Sequence, residues 1–134
     1  MVARYYRPLT HHNYWRAPAS ALIDVRLTPV QLSRKVQYLR SAELTGGLIM
    51  GQHGTLYGGD LEHSTIVALD LDPATQRVKS RLFVRAAERL SLADSFAISQ
   101  GYLYIADYHL GEVTFKNRLR CSGPLTIFRA NLPR

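Results

Sequence analysis

The chain has 134 residues, 46% of them apolar, and a formal net charge of +7 from 17 Lys and Arg against 10 Asp and Glu. That length suits one domain with its own core, and the apolar fraction excludes the low-hydrophobicity disordered class. No stretch approaches the roughly 18 apolar residues of a membrane-spanning helix, and the scattered basic residues come with no nucleic-acid reader motif, which argues against specific nucleic-acid binding.

Met1-Val2-Ala3-Arg4-Tyr5-Tyr6-Arg7-Pro8 lacks the apolar run of a signal peptide, so the chain as written is expected in the cytoplasm. Residues 1–20 are aromatic and basic, with Pro8 and Pro18 breaking any long element. A short strand is predicted near Tyr14–Ala17. Residues 28–39 predict one helix. Thr28 serves as its N-cap, Pro29 fits the first helical position, Gln31 completes a capping box, and Leu32, Val36 and Leu39 share one apolar face.

After Ser41 the pattern changes to short β runs separated by turns. Leu48–Met50, Thr55–Gly59, Thr65–Leu71 and Val78–Val84 predict strands, rich in β-branched and aromatic residues. Asp72-Pro73-Ala74-Thr75 predicts the turn of a hairpin, because Asp caps the backbone and Pro presets φ. A second set follows: Ser95–Ile98, Tyr102–Ala106, a stretch around Glu112–Phe115, and Leu125–Ala130, with Glu88–Leu92 as connector. Cys121 is the only cysteine, which excludes an internal disulfide and leaves a bland thiol as its simplest reading. No linker interrupts the chain, so residues 1–134 read as a single domain.

The two β sets repeat. Gly54-Thr55-Leu56-Tyr57-Gly58-Gly59-Asp60 and Gly101-Tyr102-Leu103-Tyr104-Ile105-Ala106-Asp107 both read Gly-x-Leu-Tyr-x-x-Asp, with the glycines 47 residues apart. A period of about forty to fifty residues holding four short strands is the signature of a propeller blade. The expected fold class is therefore mainly β, a partial β-propeller with one helix near residues 28–39. At that period the chain supplies about two to three blades, whereas propellers close with roughly four to eight. The expectation is a portion of a longer propeller, or self-association to cover the open sheet faces and edges.

The same residues carry a family resemblance. Arg7-Pro8-Leu9-Thr10, Tyr14-Trp15-Arg16-Ala17-Pro18, and Leu22 through Leu27-Thr28-Pro29 resemble the later blades of the major royal jelly/yellow protein family, especially its bacterial and fungal members. So do Thr45–Leu48 through Gly54–Tyr57 and Asp60–Val67, then Ala93–Ile98 with Gly101–Tyr104 through Leu110, and finally Pro124–Arg129 and Asn131–Pro133. The resemblance is dispersed but ordered, and runs from about Arg7 to the end. It implies the C-terminal portion of a six-bladed propeller that binds ligands or proteins, with some members linked to melanin-pathway chemistry. It also implies secretion, typical of the family. Two places depart from its pattern: Gly46 stands where the family has Asp, and Tyr108–Ser122 fits poorly.

Candidate site residues follow from both readings. Propeller ligands sit at the central mouth, where the resemblance puts Asp94 and its sister position Gly46. In related lactonase-like propellers, carboxylates and Asn from several blades hold a divalent cation such as calcium, and Asp94 could supply one such ligand. Asp60-Leu61-Glu62-His63 is the densest ionisable cluster, placing Asp60 and Glu62 on one side of an extended segment. Asp107-Tyr108-His109 repeats an acid and a His in the next unit, which favours a structural, blade-capping role for both. His11-His12 lack a third ligand nearby and read as a surface loop. There is no Ser/His/Asp order, phosphate loop, Cys/His metal spacing or dinucleotide fingerprint.

The first functional reading is thus a royal jelly/yellow-like propeller portion that binds a small molecule, a protein, its remaining blades or its own copies, with no catalytic machinery and no required cofactor. One alternative is part of a lactonase- or esterase-like hydrolase using a divalent cation. The other is a basic interaction module.

Overall fold

The computed structural model describes residues 2–72, 74–75, 77–85, 90, 92–107 and 125–133. It is mainly β, with three antiparallel sheets that follow one another along the chain. The first sheet joins β1 (Ala3–Tyr6), β2 (Asn13–Pro18) and β3 (Gln37–Ser41), in that order. The middle sheet is a four-stranded meander of β4 (Thr45–Met50), β5 (Thr55–Asp60), β6 (Thr65–Asp72) and β7 (Arg77–Arg85). The third holds β8 (Ala93–Ser99), β9 (Tyr102–Asp107) and β10 (Thr126–Asn131), with β9 central. Among the described residues, no helix is long and apolar enough to cross a membrane. The region expected as a strand around Glu112–Phe115, and Cys121, lie outside the described residues.

The helix expected over residues 28–39 is cut short. Its start is as read: Thr28 accepts a hydrogen bond from the Gln31 backbone N–H, Gln31 answers at the Thr28 N–H, and Pro29 opens the helix. But α2 covers only Pro29–Ser33 and closes through Lys35 N–H to the Leu32 carbonyl and Val36 N–H to the Ser33 carbonyl. Residues 37–41 form β3 instead. Leu39, fully buried, reaches the core from a strand beside β2 rather than from a helix face. Two further short elements were not expected: β1, and α1 (Ala19–Leu22) just after Pro18.

The sheets are layered in chain order. Successive strand residues point to opposite faces, and the middle sheet buries both. Leu56, Val67 and Leu69 face back onto Tyr14 and Leu39 of the first sheet. Tyr57, Ile66 and Ala68 face forward onto Leu103 and Ile105 of the third. This is why Ile66–Leu69 is an unbroken apolar run, whereas β9 alternates, burying Leu103 and Ile105 and only partly covering Tyr102 and Tyr104. Each fully buried Leu or Ile of this kind contributes about 1.5–3 kcal/mol relative to exposure.

The middle and third sheets repeat each other in register. Asp60 pairs with Thr65 across β5 and β6, and Asp107 pairs with Thr126 across β9 and β10. The inner hairpins match too: Leu48 sits opposite Gly58 and Phe96 opposite Ile105, with a register shift at the same place, after Thr45 in β4 and after Ala93 in β8. Gly46 and Asp94 are therefore equivalent positions. The repeat glycines share a conformation as well, Gly54 and Gly101 both at φ +80°, each after a residue of positive φ, His53 and Gln100. In the tighter β8–β9 hairpin, Gln100 and Gly101 form a two-residue turn whose two positive φ values match the twist of the strands. Asp72 caps the β6–β7 turn as read, its carboxylate accepting from the Ala74 N–H at 3.0 Å and the Thr75 hydroxyl at 2.6 Å, while Pro73 lies outside the described residues.

Where the middle and third sheets meet, β8 crosses the start of β4 and the end of β5 at backbone contact. A Cβ on Gly47 would lie 1.7 Å from the Asp94 carbonyl oxygen, and one on Gly59 would lie 2.0 Å from that of Ala93. At Gly46 the obstacle is softer: a Cβ there would meet the Asp94 side-chain Oδ1 at 2.7 Å.

Candidate functional site

Three connections converge at one end of the stack: the one before β2, the one between β3 and β4, and the β5–β6 turn. Backbone bonds hold them together, Ala42 N–H to the His12 carbonyl at 3.0 Å and Leu61 N–H to the Leu44 carbonyl at 2.9 Å. A side-chain chain fixes the middle segment: Arg7 Nε donates to Thr45 Oγ1 at 3.3 Å, Thr45 Oγ1 lies 2.7 Å from the Tyr14 hydroxyl, and that hydroxyl donates to the Glu43 carbonyl at 2.8 Å. Burial pushes the Tyr14 hydroxyl up to about 12, so it acts as a proton-bearing donor throughout the neutral range.

Asp60, Glu62 and His63 come together here, with one ligand-type atom from each within 4.8 Å of the others. Asp60 is buried at the end of β5, while Glu62 and His63 are exposed. The Asp60 carboxylate is heavily used. Oδ1 accepts the backbone N–H groups of Glu62 at 2.9 Å and His63 at 3.3 Å, and Oδ2 lies 2.8 Å from His63 Nδ1. This is the turn-capping role expected of an Asp that ends a strand. The hydrogen bond to Asp60 comes first in raising the His63 pKa above 6.5, helped by the Asp60 charge and then by Glu62 and Glu43.

Two more residues join this group: His12, which the sequence alone reads as part of a surface loop, and Glu43, which it does not single out. His12 Nε2 lies 3.7 Å from Glu62 Oε1 while its Nδ1 sits 3.0 Å from the Ala42 carbonyl. Glu43 lines a cleft of about 340 Å³ with Asp60, His63 and Arg85. Its Oε2 is buried without a hydrogen-bond partner among the described residues. No local motif marks either residue, because only the pairing of β2 with β3 brings them to the β5–β6 turn.

The other candidates separate. Asp107 is fully buried at the end of β9 and accepts the Leu92 backbone N–H at 2.7 Å, a capping contact within its own region. Asp94 is exposed at the start of β8, directly against Gly46, so the two sister positions are neighbours in space. His109 lies outside the described residues. At the opposite end, a larger cleft of about 660 Å³ opens between the β4–β5 and β8–β9 turns, lined by His53, Arg81, Gln100, Tyr102 and Asn131 among others. Sequence reading saw those turns only as punctuation.

No known protein-family model matches the chain, and no curated protein matches it significantly.

The His63 contact has a pH consequence. A histidine whose pKa is raised on folding stabilises the fold fully below its unfolded value, here 6.5, and loses that contribution as pH rises through the raised value. A titration of the His63 ring followed by NMR is expected to give a pKa above 6.5, which Asp60→Asn brings back toward 6.5. A wild-type His63 that titrates at or below 6.5 would contradict the geometry.

Proposed function

We propose that the chain is a section of a β-propeller of the royal jelly/yellow type, serving as a ligand- or protein-binding module. The observation that carries this reading is the register-level identity of the middle and third sheets. The bulge, the positive-φ turn glycine and the Asp–Thr pair all recur at equivalent positions. The layering supports it, because β4 and β8, the first strands of the two repeats, lie alongside each other as the inner strands of neighbouring blades do. In that arrangement Gly46 and Asp94 line the mouth, where one exposed carboxylate faces a glycine. A cation site at the mouth would therefore draw most of its ligands from sheets beyond these three.

A crystal structure of the protein as expressed tests the reading. The expected result is a constant rotation from sheet to sheet about an axis along β4 and β8, closing into a ring. An open sandwich without that axis would overturn it.

A second reading, a hydrolase-type propeller using a divalent cation, is favoured by the Asp60–Glu62–His63 group together with the buried Glu43 oxygen that has no hydrogen-bond partner among the described residues. Carboxylates with imidazole suit a zinc-class ion better than calcium, which takes about six to eight oxygens. Asp60, Glu62 and His63 would hold the ion, and its chemistry there would be to polarise a carbonyl or activate water. After removal of metal with a chelator, millimolar zinc is expected to raise Tm by several degrees, since an ion present at about 100 times its Kd adds roughly 2.7 kcal/mol. His63→Ala should abolish the shift. An unchanged wild-type Tm would exclude the site.

A further inference from the structure

The repeat also states what each sheet face packs against. In the middle sheet the forward face carries Tyr57, Ile66 and Ala68, and it is covered by the third sheet. The registers make Tyr104, Ile127 and Arg129 the equivalents of those residues. In the third sheet no other sheet of the described residues covers the same forward face, and Ile127 is 67% exposed. Around it the Arg129 guanidinium lies 4.7 Å from the Tyr102 ring centre, and the Tyr102 and Tyr104 rings are 6.3 Å apart. Half-buried tyrosines beside an arginine are the side chains enriched at protein–protein interfaces.

The opposite end of the stack is complementary in kind. The first sheet turns Tyr14 and Leu39 toward the middle sheet. Its back face carries a row of aromatics, Tyr6 opposite Trp15 and Trp15 opposite Tyr38. Trp15 and Tyr38 are in ring contact at 5.0 Å, and Tyr6 and Tyr38 remain 43% and 40% exposed. Within the chain, every forward face that is covered is covered by the back face of the following sheet. Among the described residues, one forward face and one back face have no covering sheet.

We propose that the forward face of the third sheet is a docking surface for the back face of the first sheet in a second copy of this chain. The contact continues the packing between the middle and third sheets with the same polarity. It is head-to-tail, so it propagates to a ring or a filament rather than stopping at a symmetric pair. The inference rests on the sheet-to-sheet repeat alone and holds whether or not the stack closes as a propeller.

Sedimentation velocity over a concentration series of the full chain tests it. Wild type is expected to rise with concentration from the 15.1 kDa monomer to multiples of that mass. Ile127→Lys, which blocks the forward face, and Tyr38→Lys, which blocks the back face, should each leave a monomer. Mixed one to one, they should form a dimer and nothing larger, because each supplies the face the other lacks. Circular dichroism and a urea midpoint establish that each variant is folded; Tyr6→Lys replaces Tyr38→Lys, and Arg129→Glu replaces Ile127→Lys, if the first choice fails to fold. A wild type that stays monomeric, a Tyr38→Lys variant that still dimerises alone, or a mixture that stays monomeric would each overturn the proposal. A monomer leaves the propeller reading standing, with further sheets of a longer chain as the occupant. A head-to-tail assembly whose sheets do not form a ring keeps the docking and sinks the propeller.

Discussion

The stack depends on one close backbone crossing. The Ala93–Asp94 segment of β8 lies so near β4 and β5 that Gly47 and Gly59 have no room for a Cβ. Protein interiors are close-packed and yield little to an added carbon. That contact sets how far the third sheet sits from the middle one. It thereby lets Tyr57, Ile66 and Ala68 meet Leu103 and Ile105. Glycine here is a packing requirement, distinct from Gly54 and Gly101, where positive φ in a turn calls for it.

From this crossing the functional geometry follows. It brings the first strands of two repeats side by side and makes Gly46 and Asp94 neighbours. It also leaves the third sheet with a face built like one that is buried a layer earlier. The acid–histidine group at Asp60 has another origin, the pairing of β2 with β3 and the tethers from Ala42 and Leu61. The acid–histidine group found among the described residues thus lies between the first and middle sheets, while the equivalent position in the next repeat, Asp107, caps the Leu92 N–H.

Much of the β structure was legible because its signals are local. Alternation, the Asp72 turn and the Gly-x-Leu-Tyr-x-x-Asp repeat each name their own element, while Gly46 and Asp94 were paired through the family resemblance, and the register makes them equivalent. The helix over residues 28–39 was half right for the same reason. The Thr28–Gln31 box is a local device and formed, but the helical spacing of Leu32, Val36 and Leu39 did not carry the helix past Ser33. Tertiary pairing with β2 decided for a strand, with Arg40 at φ +93° absorbing the irregularity against Tyr14. The candidate site was legible at Asp60, Glu62 and His63, which are consecutive or nearly so. Glu43 was not, and His12 was read only as part of a surface loop, since their nearness to that turn is a product of register between distant strands.

The most direct test of this account compares two neighbouring glycines by urea denaturation. Gly47→Ala places a methyl against the rigid Asp94 carbonyl and should cost roughly 3 kcal/mol, at the upper end of ordinary overpacking. Gly46→Ala meets the Asp94 side chain, which can swing aside, and should cost less than about 1 kcal/mol. Equal costs at the two positions, or a Gly47→Ala protein as stable as wild type, would contradict the claim that this crossing holds the middle and third sheets together.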